Sequence, residues 1–259
     1  MPTLDILLMY VSARISDGLG NRFFQVAAML WYAKKHGHTP VFVKQWIEQN
    51  KYHPGPKTIQ DFFPDISVID ADGDWTTIEP DASKVFTFIE FPKADVNVKL
   101  HGCFQAWQYV DLPVPSLLQT QSFQIPKSFF LHVRRGDYLI CTHHYVNLDD
   151  YMRRACSLFP SDAAMIVCSD DLNWCKATLP ALTGRNNIIF YDDDDFATLR
   201  TMVHCDLGGI CANSTYSWWA AYFGSGVNPL RTYTLPRIWG QPGVIPPAGD
   251  LLAPWAIIL

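Results

Sequence analysis

Phe129-Phe130-Leu131-His132-Val133-Arg134-Arg135-Gly136-Asp137-Tyr138 joins a run fit for a buried strand to a cluster of charges and a glycine. The apolar half is continuous, as in a strand covered on both faces. Side chains alternate along a strand, so His132 and Arg134 share one face and Arg135 starts on the other. Gly136 then lets the chain turn. In a parallel sheet, ligands sit at the carboxyl ends of strands, and an arginine fork there suits a phosphate or pyrophosphate. A structural Arg–Asp ion pair at a domain seam competes with that reading. Arg135-Gly136-Asp137 also spells an adhesion tripeptide, which needs an exposed loop tip, and attachment to a buried strand speaks against one.

Downstream of this strand the pattern alternates. A helix is expected over Leu148 to Leu158 with Asn147 as its cap, then a strand over Ala164 to Cys168. A helix from Leu172 to Thr178 should end at Pro180, followed by strand Ile188 to Tyr191, helix Phe196 to Cys205 and strand Leu207 to Ala212. Thr215 to Phe223 reads as a last helix closed by Gly224. Upstream, Ile6 to Val11 is a strand, Gly18 to Asn21 a turn, Asn21 to His36 a helix and Thr39 to Val43 a strand. Lys51 to Pro80 is rich in Pro, Gly and Asp and reads as irregular; Val85 to Phe88 and Val96 to His101 read as strands. Such alternation predicts an α/β fold with parallel sheets. Nine of the ten lysines lie at or before Lys127 and eight of the ten arginines after it, beside a Pro-bearing segment from Leu112 to Pro126. We read that segment as a linker between an N-terminal α/β domain, 1–120, and a C-terminal one, 121–259.

Composition excludes several classes. With 259 residues, 49% hydrophobic and 17% charged, the chain is too apolar to be disordered and should bury a substantial core. A net charge of −5 argues against a nucleic-acid binder. The longest apolar stretch, Phe23 to Ala33, is interrupted by Gln25 and too short for an integral membrane segment. Met1 to Asp5 lacks the features of a signal peptide, so a soluble, cytoplasmic protein is expected. Seven cysteines without a C-x-x-C pair, and histidine pairs without acidic or thiol partners at ligand spacing, predict neither a disulfide framework nor a metal site.

Three further strand ends carry polar residues. Asp17-Gly18-Leu19-Gly20-Asn21 lets backbone approach a ligand at a helix N-terminus. It lacks the third glycine and the later acidic residue of a dinucleotide fingerprint, which argues against NAD, and a plain tight turn explains it equally well. Ala212-Asn213-Ser214-Thr215-Tyr216-Ser217-Trp218-Trp219 makes a second cradle for an anion, its tryptophans reading as core. Ser169-Asp170-Asp171 ends another strand, where a helix cap is the simpler account. Asp192 to Asp195 and Asp72-x-Asp74 read as solvated turns more readily than as metal-binding D-x-D sites.

Together these motifs resemble the α-1,2-fucosyltransferase family, glycosyltransferase family 11, and its wider fucosyltransferase superfamily. The resemblance rests on Gly18-Leu19-Gly20-Asn21 with Phe24-Gln25, Gly102-Cys103-Phe104-Gln105 with Tyr109, and His132 through Tyr138. It continues through Ser169-Asp170-Asp171 with Trp174, Asn213 through Ala221, and Pro236 with Trp239, in family order. It implies a GT-B-like fold, two Rossmann-type domains facing across a cleft, with the N-terminal one on the acceptor side and the C-terminal one holding the donor. It implies inverting transfer of fucose from GDP-L-fucose to an acceptor glycan, in α-1,2 linkage, with no metal and no other cofactor. By that likeness Arg134 contacts the β-phosphate, His132 and Asp137 shape the pocket, and Arg135 counts among the donor-binding residues. Ser214, Thr215 and Ser217 add phosphate contacts, Gly18, Gly20 and Asn21 reach across the cleft, and Asp170 sits near the nucleotide. Asp17 and Asp137 are the candidates for the base. Two positions depart from the family: Arg22, expected to add a cation beside the cleft, and Thr198, where an acidic residue is usual and Asp195 one turn earlier is the possible substitute. A different nucleotide sugar on the same fold, or a non-catalytic carbohydrate- or adhesion-type binding protein, are the alternatives. A bacterial- or viral-type enzyme without the anchor of Golgi enzymes fits the resemblance, and nothing in the residues speaks to oligomeric state.

Overall fold

A computed structural model describes residues 8–49, 55–119 and 126–259. The elements, in chain order, begin with β1 (Tyr10–Ala13), α1 (Leu19–His36), β2 (Thr39–Pro40), β3 (Phe42–Val43), α2 (Ile59–Phe62), β4 (Val68–Ile69), β5 (Trp75–Ile78), β6 (Asn97–Leu100) and α3 (Ser116–Gln119). They continue with β7 (Ser128–Val133), α4 (Asp149–Cys156), β8 (Ala164–Ser169), α5 (Leu172–Thr183), β9 (Ile188–Tyr191), α6 (Asp195–His204), β10 (Gly208–Ile210), α7 (Thr215–Val227), β11 (Thr232–Leu235) and β12 (Ile257–Ile258). A four-stranded sheet runs β2-β1-β6-β5 and a six-stranded sheet β12-β11-β10-β7-β8-β9, with every pairing parallel. β3 and β4 form a separate parallel pair.

The strand orders fix where ligands can bind. From β7 the chain adds β8 and β9 on one side, then β10, β11 and β12 on the other, so the order reverses between β7 and β10. In the smaller sheet the reversal falls between β1 and β6. At such points the crossover helices leave a crevice at the strands' carboxyl ends.

One core serves both sheets. α1 lies against α7, with Phe24 and Trp218 ring centroids 4.8 Å apart and Phe23 and Trp219 5.3 Å apart. Gly20 permits the contact, since a Cβ there would sit 2.5 Å from the Thr215 carbonyl carbon. On its other face the larger sheet buries Phe129, Leu131 and Val133 against Tyr151, Met152 and Leu179 of α4 and α5. Leu112, at the start of the expected linker, is docked: its N–H donates to the Tyr222 hydroxyl (3.1 Å), which donates back to its carbonyl (2.9 Å). The rest of that segment lies partly outside the described residues, as do Ile6 and Leu7 of the expected first strand.

Several expected elements need correction. Val85 to Phe88 is no strand: it follows a 3₁₀ turn (Ala82–Lys84), and the Phe86 carbonyl accepts from Asp250 N–H instead of from a ladder. The stretch read as irregular holds β4 and β5. Thr39 to Val43 is broken by Pro40 into β2 and β3, which pair with different strands. α5 passes Pro180 and ends at Gly184, left-handed at φ 67°; Lys176, whose carbonyl the proline cannot serve, is exposed to water. α7 passes Gly224 too, because that glycine admits the Tyr233 hydroxyl and is no stop. The N-cap position of α4 is Leu148, not Asn147, although Asn147 accepts from the Asp149 N–H at 2.8 Å just before the helix.

Candidate active site

Past the end of β7 the chain leaves the sheet at the reversal between β7 and β10, and Arg134 is the first side chain there. Its Nη2 lies 2.9 Å from Asp137 Oδ1 and its Nη1 3.0 Å from Asp170 Oδ2, with the side chain only 17% exposed. Both outer nitrogens are thus spread in one plane by carboxylates from two strand ends. Asp170 does more than balance charge. Its Oδ1 accepts the Arg135 N–H at 2.8 Å, and its carboxylate fills the space beside Gly136, where a Cβ would come within 2.8 Å. The loop can turn there only because residue 136 has no side chain.

Arg135 goes to the opposite face, as strand alternation requires. It stacks over the Trp174 ring at 4.1 Å and its Nε pairs with Asp171 at 3.1 Å. Asp171 also caps α5 by accepting from Trp174 N–H (3.1 Å), and that bond, with Arg135 beside it, holds its carboxyl below the ordinary carboxylate range. A cavity of about 300 Å³ opens at this strand end, lined by His132, Arg134, Arg135, Met152, Trp174 and Ala212 among others. The adhesion tripeptide is therefore tied down at its first residue.

His132 is buried on the Arg134 face, its ring 5.6 Å from that of Tyr216. Burial, reinforced by the Arg134 cation and opposed by Asp170, pushes it down to about 4, so it is neutral near pH 7. Tyr138 donates to the Asn213 carbonyl at 3.0 Å, and burial pushes its hydroxyl up to about 12. Asn213 in turn donates to the His144 and Trp239 carbonyls, at 2.9 and 3.2 Å. The β7 exit, the β10 exit and the loop before β12 are thereby bound into one rigid rim.

Across from it stands the start of α1. Asn21 Oδ1 accepts from Thr215 Oγ1 (2.8 Å) and from Gln105 Nε2 (3.0 Å). The N-termini of α1 and α7 therefore converge, one from each half of the chain, and the positive ends of two helix dipoles lie close together. Gly20, Asn21 and Thr215 meet here, with Gly18 and Ser214 at the N-cap positions of the two helices. Gln105 and Tyr138 were not singled out as site residues; their signal was a large polar side chain set among apolar neighbours.

Some expected residues face elsewhere. Ser217 is fully buried and donates to the Ser214 carbonyl at 3.3 Å, so it braces the helix start and has no face on the crevice. Arg22 is not a cation beside the cleft: it is 5% exposed, and its Nε and Nη2 each donate at 2.8 Å to the carbonyls of Asp17 and Glu48. Burial lowers its pKa. Asp17 is exposed, with φ 65°. Asp195, in the first turn of α6, presses against Gly55, and desolvation raises its pKa. Among the described residues, no three His, Cys, Asp or Glu side chains gather as metal ligands, and no helix is long and apolar enough to cross a membrane.

The segment that builds this crevice matches the family model described as Glycosyl transferase family 11. The match spans residues 117–234, a little under half of the chain. The chain is 30% identical over 118 residues to the O-antigen biosynthesis glycosyltransferase WbnK of Escherichia coli, covering 42% of this chain and 38% of that protein. It is 32% identical over 127 residues to the galactoside alpha-(1,2)-fucosyltransferase 1 of Bos taurus, covering 43% of this chain and 34% of that protein. The chain thus spans little more than a third of the length of these curated relatives. Among solved structures it resembles NodZ alpha-1,6-fucosyltransferase co-crystallized with GDP, at TM-score 0.51 and 13% identity over 82% of this chain and 91% of that one. The fold is GT-B-like.

Proposed function

We propose that the chain transfers L-fucose from GDP-L-fucose to a hydroxyl of an acceptor glycan, with inversion, in the α-1,2 linkage type of its galactoside relatives and without a metal. The observation that carries this reading is the Arg134 fork, held between Asp137 and Asp170 at the strand-order reversal. As the fucosyl–phosphate bond breaks, its electron pair leaves on GDP and charge builds on the β-phosphate. A preorganised guanidinium and fixed backbone N–H groups stabilise that charge where another enzyme would use a divalent ion. His132, neutral and buried, adds no competing cation; its role is to support the Arg134 face.

The acceptor hydroxyl bonds to the anomeric carbon and gives up a proton. Asp137 is committed to Arg134, whereas Asp17, exposed beyond β1, is accessible to take it. This reading gives residues 121–259 the donor and residues 1–120 the acceptor. All seven cysteines are free thiols, which suits the reducing cytoplasm. The test is calorimetric titration with GDP followed by transfer of labelled fucose to lactose in excess EDTA. Micromolar GDP binding and undiminished transfer are expected; loss of turnover on chelation, restored by manganese, would refute the metal-free mechanism.

A further inference from the structure

The smaller sheet has its own reversal between β1 and β6, and the chain has built a charged network there. Arg14, the first residue past β1, places Nη1 2.8 Å from His101 Nε2, the first residue past β6. Arginine can only donate, so Nε2 carries the lone pair and the imidazole proton sits on Nδ1. Nδ1 faces Glu79 Oε2, just past β5, at 3.1 Å. On its other side Arg14 donates through Nε to Glu48 Oε1 at 2.8 Å, and Nη2 reaches the same oxygen. Glu48 is set by the bridge between Ile15 and Ile47. Four elements thus converge to form one chain, Glu48–Arg14–His101–Glu79.

The network is open to solvent, its side chains 32% to 60% exposed. The loops leaving it are strained: Asp17 after β1 and Phe104 after β6 hold φ of 65° and 51°, a left-handed conformation costly for residues other than glycine. The β6 loop then runs on to Gln105, whose amide donates to Asn21 at the donor crevice. Nothing in the Arg134 site uses these four side chains, yet they occupy the matching position in the other half of the fold.

We propose that this network is a clamp for a neutral sugar ring of the acceptor. The inference rests on the transferase reading above. A sugar's adjacent hydroxyls each donate and accept, and the clamp offers them carboxylate acceptors flanking guanidinium donors in one line. One cation against two carboxylates leaves a net negative charge, which turns away sialylated or sulfated rings.

The test uses the whole chain with GDP present, and saturation-transfer NMR with lactose, cellobiose and 3′-sialyllactose. Neutral disaccharides should bind and sialyllactose should not. Arg14→Met should weaken lactose by about 10-fold or more, the size of one lost charged hydrogen bond, with the loss falling on the acceptor KM. GDP affinity at the wild-type value shows that the variant is folded. Glu79→Gln, at the exposed end, should weaken lactose several-fold without risk to the fold. Binding of no neutral disaccharide, equal lactose binding by both variants, or a preference for sialyllactose would overturn the clamp. A wild-type chain that binds lactose through these residues but ignores GDP would instead overturn the donor reading and leave the clamp standing.

Discussion

Replacing Arg134 by lysine separates geometry from charge. The guanidinium meets Asp137 through Nη2 at 2.9 Å and Asp170 through Nη1 at 3.0 Å, two carboxylates set apart by a planar fork. A lysine ammonium is one point and can serve one of them. Asp170, 21% exposed, then loses a charged hydrogen bond, worth about 1.5–3 kcal/mol. The Arg135 N–H still holds its other oxygen, so the loop should keep its course. Stability should fall by about 1–2 kcal/mol, within what a folded domain tolerates. Turnover should suffer more. Removing one preorganised donor to developing charge costs roughly 10²–10³-fold, or about 2.7–4 kcal/mol. We expect a fall of that size in kcat for fucose transfer by Arg134→Lys, with an unchanged circular dichroism spectrum, and a further loss together with weaker GDP binding for Arg134→Ala. Wild-type turnover in a folded Arg134→Lys protein would show that the phosphate clamp is elsewhere.

Gly20→Ala should push α1 away from the Thr215 backbone, 2.5 Å from the new Cβ, and lower Tm by several degrees; Gly18→Ala, with nothing within 4 Å and φ −71°, should cost less than ~1 kcal/mol. His132 gives a pH signature. Its native pKa of about 4 lies below that of the unfolded chain, so the unfolded state binds the extra proton and stability falls as pH drops from about 6.5 to 4, by roughly 3 kcal/mol. Urea unfolding of wild type and His132→Phe across that range checks it, and parallel curves would contradict the assignment. Asp170→Asn should release the Arg134 fork while keeping an acceptor for the Arg135 N–H, so kcat should fall at least 10-fold, with a stability loss of about 1–2 kcal/mol like that of Arg134→Lys.

What could be read from the chain was whatever is local to it. β7 stood out because Phe129 to Val133 is continuous and apolar, and period-two alternation then put His132 and Arg134 on one face with no further information. The strands in the stretch from Lys51 to Pro80 did not stand out. β5 is Trp-Thr-Thr-Ile at a sheet edge, with both threonines in water, so it needs no apolar run to mark it. The opposite error came at Val85 to Phe88. Those residues are apolar because Phe86 packs near Trp239 and Phe88 against Trp31, and a docked loop has the same composition as a strand. Pro180 and Gly224 misled for a related reason. Their local meaning is a stop, but a surface carbonyl needs no helical partner and a close-packed helix needs a glycine.

The roles that escaped reading are those defined by partners far away in the chain. Arg22 looks like an available cation until the Glu48 carbonyl, 26 residues on, takes its Nη2. From its neighbours alone Asn21 is the end of a tight turn; the family likeness sends it across the cleft, and the partner it finds there is Thr215, 194 residues later, which donates to it. The same holds for Arg14 and His101, 87 residues apart and both unremarkable beside the arginines of β7. Arg14 and His101 meet at the ends of two parallel strands, and Asn21 and Arg22 lie in the first turns of the helix that follows β1. The fold accounts for that: crossover connections bring residues distant in sequence to neighbouring strand ends, and the order reversal leaves those ends uncovered. A motif scan therefore finds the crevice whose residues sit on one strand, as at β7. The second crevice, assembled from β1, β5 and β6, becomes visible only when the strand order is known.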